Sequence, residues 1–179
     1  MSNGHHINPD LLQGISKIAE IRQLNLDIIR RIVEAIEHPA WHLHATGLKE
    51  ALKYAADYRA RVLLAFTASV CPHCQALEQE VFNKADFGWW VWRNNLVLAK
   101  INFDCFPWSP GCNPPADDKA EYNKYQVNTM GFPTVFILNL KGLECGHLTG
   151  YSSGTGVTAY TNALGVAAQF NVSGGPCCE

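Results

Sequence analysis

The feature that most constrains the fold of this chain is the junction at residues 61–82. An apolar run, "RVLLAFTAS" (61–69), leads through Val70 into "CPHC" and then into "CQALEQEVF" (74–82). A short apolar run behind a charged boundary reads as a buried strand. Leu77 and Val81 then recur at helical spacing. A strand that hands over to a helix through Cys71 and Cys74 brings both sulfurs within one helical turn. Three chemistries use such a pair: a metal clamp, a structural staple and a redox centre. The spacing alone does not choose among them.

A dithiol redox centre needs one accessible thiol of lowered pKa and a second close enough to resolve a mixed disulfide. The start of a helix supplies both, because its free amides stabilise a thiolate on the leading cysteine. Cys71 is therefore the candidate nucleophile and Cys74 the resolver, with Pro72 and His73 between them. His73 adds a positive or hydrogen-bonding group beside the thiolate, which favours the reduced form and makes the disulfide a stronger oxidant. A zinc site would need a second ligand pair. His38, His42 and His44 in "HPAWHLH" offer imidazoles, but the strand-to-helix position suits redox chemistry better. No metal and no cofactor is expected.

The rest of the chain frames that junction. Residues 10–37 read as one long helix, with Leu11, Ile15, Ile18, Ile21, Ile28, Ile29, Ile32 and Ile36 along one face. Leu11, Ile18, Asn25 and Ile32 also share a heptad position, and an asparagine there is a register device in coiled coils. Packing on its own domain and an oligomer stalk are equally open for this helix. A second helix is expected over 47–58, strands over 95–104 and 134–140, and a Pro- and Gly-rich loop over 105–115. A short helix over 118–125, a hairpin partner in "GLECGHLTGY" and a last helix within 154–170 complete the order. This describes an α/β domain, a central sheet with helices on both faces.

Composition narrows the setting. The 179 residues are 47% hydrophobic with a net charge of −2, which suits a globular domain and gives no reason to expect a nucleic-acid partner. No apolar run is long enough to span a bilayer. The first ten residues, "MSNGHHINPD", lack the charged start and apolar core of a signal peptide. Seven cysteines are many for a cytosolic chain of this size, so the expectation is an extracytoplasmic space, periplasmic or secreted. The number is odd, so at least one cannot pair within the chain.

A second motif, "MGFPT" (130–134), places Pro133 directly before an apolar strand. A proline there can be cis or an ordinary trans proline at a strand edge. Taken in order, "LLAFTASVCPHC", "LAKINFD", "YNKYQVNTMGFPTVFILNLKG" and "GHLTGY" resemble the thioredoxin fold over about residues 41–170. Within that superfamily "GLKEALKYAADYRARVLLAF" and "CQALEQEVFNKADF" look more like the periplasmic group that includes the C-terminal domain of the DsbD reductases. In that group a phenylalanine, here Phe82, follows the active-site helix and a new short helix begins. The CPHC motif resembles that of DsbA, but the 62 residues from Cys71 to Pro133 leave no room for the helical domain DsbA inserts there.

The resemblance implies that Pro133 is cis and lies against the cysteine pair. It implies that the backbone of Phe132 docks substrate, with Thr134 on the other side of the proline in the same site. Lys100 matches a lysine buried under the thioredoxin active site. Its usual acidic partner is replaced by Ala65, and the tryptophan usual before the first cysteine is Val70.

Cys105 and Cys112 bracket "FPWSPG", and a disulfide between them would rigidify that loop; a second redox couple is the alternative. Cys177 and Cys178 on a glycine hinge suggest either a shuttling or metal-binding tail or pairing with Cys145. Trp89, Trp90 and Trp92 are expected in core and groove packing. The expected organisation is an N-terminal helical extension (1–40), a thioredoxin-like domain (41–170) and a flexible cysteine-containing tail (171–179). The expected function is thiol–disulfide exchange with protein cysteines, with a membrane redox partner if the chain works as a reductase. A binding or assembly module without catalysis, and a dimeric isomerase or chaperone joined through the N-terminal helix, are the alternatives.

Overall fold

The structure is a computed structural model. It describes residues 40–168 and, before them, Lys17, Glu20, Arg22, Gln23, Leu26 and Ile29, which are helical and exposed. The chain divides into two units, residues 1–35 and 36–179. The rest of the expected N-terminal helix, its heptad face and the cysteine tail lie outside the described residues.

The second unit runs β1 (Trp41–Leu43), α1 (His44–Tyr58), β2 (Arg61–Ala68), α2 (Pro72–Leu77), a π-helical turn (Glu78–Phe82), α3 (Ala85–Arg93) and β3 (Leu96–Phe103). It continues with α4 (Ala116–Lys124), α5 (Val127–Met130), β4 (Thr134–Leu138), β5 (Glu144–Thr149) and α6 (Gly156–Ala167). The five strands form one mixed sheet in the order β1-β3-β2-β4-β5. β3 is parallel to β1 and β2, and β4 is antiparallel to β2 and β5.

β2 is central, which is why its sequence is almost continuously apolar rather than alternating. The period of two still sorts its side chains. Val62, Leu64 and Phe66 enter one core with Phe136 and Leu138 of β4, under Leu48, Ala51 and Ala55 of α1. Leu63 and Ala65 enter the other with Val135 and Ile137, under Leu77, Val81, Phe82, Phe87 and Leu164. One-residue alternation thus feeds two separate cores from one strand.

Besides α5, which was not expected, β1, the start of α1 and the placement of two tryptophans depart from the sequence expectation. β1 escaped notice because three residues carry too little periodicity, and only its pairing with β3 at Trp41–Leu98 and Leu43–Lys100 makes it a strand. α1 begins at His44 rather than Gly47. Its first turn is held from a distance: buried Asp118 of α4 accepts hydrogen bonds from Ala45 N at 2.7 Å and from His44 Nδ1 at 3.0 Å. Trp89 and Trp92 do not pack in the core. α3 buries the stripe of Phe87, Gly88 and Val91, and helical geometry turns Trp89 and Trp92 outward, 51% and 58% exposed.

On the second face, Glu80 ties the π-helical turn to the segment before α6. Its carboxylate accepts hydrogen bonds from Ser153 Oγ (2.5 Å), Tyr151 Oη (2.7 Å) and Gly154 N (2.7 Å). These donors, Ser153 foremost, hold the Glu80 carboxyl below the ordinary carboxylate value. A carboxyl whose pKa is lowered by folding stabilises the protein above its unfolded value and loses that contribution as pH falls through the folded one. Glu80→Gln should therefore lower the melting temperature at neutral pH and flatten its decline below about pH 4.5. Melting curves from pH 7 to 3 read this directly. Parallel pH profiles for both proteins would refute the role.

Candidate active site

Both motifs meet at one end of the sheet. β2 runs towards Ala68 and delivers Cys71 just beyond it. β4 runs the other way, and its first residue, Thr134, pairs with Phe66. Pro133 therefore lies at the same edge as the cysteine pair. The Phe132–Pro133 peptide is cis. Gly131 precedes it with φ 97°, a conformation that favours glycine. Thr134 Oγ1 donates to Gly131 O at 2.7 Å, and Gly150 N donates to Pro133 O at 2.7 Å, so the turn is pinned from both sides.

Cys71 and Cys74 form a disulfide with Cα atoms 5.2 Å apart. Cys71 caps α2, with extended backbone at φ −98° and ψ 112°, and Pro72 occupies the first helical position, where its missing N–H costs nothing. Cys71 Sγ accepts from Cys74 N at 3.2 Å. This is the amide contact that stabilises negative charge on the leading sulfur. The turn before the pair is fixed by a polar chain that the sequence did not reveal. Gln75 Nε2 donates to Ser69 O, Asn102 Nδ2 to Ser69 Oγ and Thr67 Oγ1 to Asn102 Oδ1, each at 2.8 Å. His73 is exposed at the helix start.

Cys71 was expected to be accessible. In this disulfide form it is 3% exposed and Cys74 4%. Both belong to the first core, against which Phe106, Met130 and Phe132 pack. The apolar surround that buries the pair comes from segments far apart in sequence.

Beside the pair opens a cavity of about 530 Å3, lined by Cys74, Glu78, Lys100, Asn102, Asp104 and Cys105 among others. Lys100 Nζ lies 2.6 Å from Glu78 Oε2 and 4.4 Å from the centre of the Trp41 ring. The acid that Ala65 lacks is thus supplied by Glu78, one helical turn beyond Cys74. Motif spacing could not find it, because the ion pair joins α2's extension to the middle of β3. This ion pair shares the cavity wall with Cys74.

Cys105 and Cys112 are disulfide-bonded, with Cα atoms 5.8 Å apart. Cys145 of β5 is also disulfide-bonded and buried. Among the described residues, no group of three or more His, Cys, Asp or Glu side chains could hold a metal ion. No helix among them is long and apolar enough to cross a membrane.

A mixed five-stranded sheet flanked by helices, with a CxxC disulfide at a strand-to-helix turn, defines a thioredoxin-like architecture. The chain belongs to the thioredoxin-like domain family, whose model matches residues 48–165. Among solved structures, it is similar to a thioredoxin from Thermus thermophilus, with 23% identity and TM-score 0.55 over 79% of this chain and 94% of that one. It is similar to the oxidised DsbD C-terminal domain of Neisseria meningitidis, with 18% identity and TM-score 0.53 over 72% and 99%. A DsbH oxidoreductase matches with 21% identity and TM-score 0.52 over 68% and 81%. These likenesses are of fold. No curated protein matches.

Proposed function

We propose that the chain is a thiol–disulfide oxidoreductase that acts on cysteines of other proteins, with Cys71 as the exchanging sulfur, Cys74 as the resolver and Pro133, with Phe132 and Thr134, shaping the substrate groove. The observation that carries this reading is the Cys71–Cys74 disulfide at the helix start, its leading sulfur facing the amide of Cys74. In the reducing direction the Cys71 thiolate attacks a substrate disulfide, a mixed disulfide forms and one substrate thiolate leaves. The Cys74 thiolate then attacks Cys71 Sγ and the second substrate thiolate leaves. Two electrons pass to the substrate and Cys71–Cys74 becomes the disulfide. The oxidising direction is the reverse, with two substrate thiols as the electron source.

Glu78 and Lys100 serve the second step in this reading, by taking the proton from Cys74 and returning it. Glu78→Gln should slow resolution of the mixed disulfide by at least about tenfold while leaving its formation unchanged. Stopped-flow single turnover separates the two phases, and equal slowing of both would remove Glu78 from this role.

An extracytoplasmic setting belongs to the same reading, supported by the seven cysteines, three structural ones of which are already disulfide-bonded. So do a membrane redox partner and the division into extension (1–40), domain (41–170) and tail (171–179); a family match confined to 48–165 supports that division. The dimeric isomerase reading depends on the N-terminal segment. One observation favours the non-catalytic module instead, namely the near-complete burial of both cysteines. Equilibration with glutathione decides between them. A potential near about −120 mV would make the protein a donor of disulfides and one near about −270 mV a reductase. A pair that never equilibrates would leave the binding module.

A further inference from the structure

Three of the segments that border the cysteine pair carry no formal charge, whereas Glu78, Lys100 and Asp104 line the cavity beside it. Residues 69–77, 105–116 and 125–140 contain no Asp, Glu, Lys or Arg. What they present instead is aromatic surface. The loop closed by Cys105–Cys112 lays Phe106 and Trp108 over Phe132, the residue before the cis proline. Ring centres lie 4.9 Å apart for Phe106–Trp108, 5.4 Å for Trp108–Phe132 and 6.1 Å for Phe106–Phe132, with interplanar angles of 12°, 19° and 22°. The three rings are near-parallel, yet Trp108 remains 56% exposed. Val70, on the other side of Cys71 in sequence from Pro72, is 51% exposed.

An exposed tryptophan usually costs ordering entropy when a partner binds. Here that cost is already met within the loop. Pro107 and Pro110 flank Trp108, the disulfide closes the loop's ends, and Ser109 N→Phe106 O (2.8 Å) and Cys112 N→Ser109 O (3.1 Å) fix its turns. Cys71 is itself 3% exposed, so a partner must engage the apolar surround to reach its sulfur. A charged segment laid across these three stretches would lose hydration and gain no ion pair from them. An aromatic side chain would cover the open Trp108 face and extend the existing stack.

Resting on the oxidoreductase reading above, we propose that Phe106 and Trp108, stacked on Phe132, form a rigid docking platform that selects protein substrates carrying an aromatic side chain beside the reacting cysteine. Selection is by ring contact rather than charge, and the Cys105–Cys112 disulfide acts as a positioning element for the platform.

The test compares two disulfide-containing peptides that differ only in the residue next to the cysteine, tryptophan in one and serine in the other. The full chain should show a kcat/KM about tenfold higher for the tryptophan peptide. Trp108→Ser should reduce that ratio to about twofold or less, and Trp108→Phe should restore most of it. Melting curves of each variant establish that the loop change leaves the fold intact. Equal kcat/KM for the two peptides with the unaltered protein, or an undiminished ratio in Trp108→Ser, would overturn the proposal. If neither peptide nor glutathione exchanges with Cys71, the oxidoreductase reading falls separately. The platform is then read from binding of the same peptides with cysteine replaced by serine, where a tryptophan preference lost in Trp108→Ser upholds it and equal binding overturns it.

Discussion

Cys71→Ser should abolish disulfide exchange, by at least about a thousandfold, whereas Cys74→Ser should capture substrate as a stable mixed disulfide. The asymmetry follows from position on the helix. Cys71 is the capping residue, and its sulfur takes a hydrogen bond from Cys74 N at 3.2 Å. A thiolate gains most at that place, and in the oxidising direction it is the better leaving group when the second substrate thiolate attacks the substrate sulfur of the mixed disulfide. Cys74 lies one turn inside, on the wall of the cavity that holds Glu78 and Lys100. Serine at 71 removes the sulfur to which a substrate bonds. Serine at 74 leaves that bond with nothing to break it. Peptide mapping of the captured adduct gives the answer: substrate attached to Cys71 upholds the assignment, and substrate attached to Cys74 in Cys71→Ser reverses the two roles.

Phe136→Ala should lower stability by about 3–5 kcal/mol, a fall in melting temperature of roughly 10 °C. Phe136 is fully buried at the centre of β4. Its ring lies 5.9 Å from Phe66 in an edge-on contact, 5.3 Å from Tyr125 and 5.3 Å from His147. Truncation leaves a cavity that three elements would have to close at once. β2, β5 and the end of α4 are tied to other partners, so the space stays open. Urea unfolding should show a lower midpoint with an unchanged slope. A shift in melting temperature below about 3 °C would mean that the sheet relaxes around the gap, contrary to the packing described. Because Phe136 faces the core that also holds Cys71 and Cys74, the same variant should exchange disulfides more slowly before it unfolds.

Much of the fold was legible because its elements carry strong local signals. β2, β3 and β4 are apolar runs with charged or turn-forming ends, and each appears within about two residues of its expected bounds. α6 and the hairpin of β4 and β5 announce themselves likewise, the latter through Lys141-Gly142. In the hairpin, Asn139 Oδ1 accepts from both Lys141 N and Leu143 N. β1 and α5 were not legible. Three or four residues hold too few positions for a period, and they become elements only through their neighbours.

For the site, sequence by itself determined the chemistry-bearing atoms: two sulfurs one turn apart after a buried strand, and a proline at the head of another. Spacing along one strand–helix junction is a local property, so it survives without knowledge of the fold. Tertiary structure decided the surroundings. The antiparallel pairing of Thr134 with Phe66 brings Pro133 to the cysteines' end of the sheet. The parallel pairing of β2 with β3 puts Lys100 beside Ala65, within reach of Glu78 on the helix above. A disulfide-closed loop turns Phe106 and Trp108 onto Phe132. Those contacts join residues 22 or more positions apart. No periodicity encodes such separations, because strand order and loop closure, rather than local spacing, set which distant side chains meet.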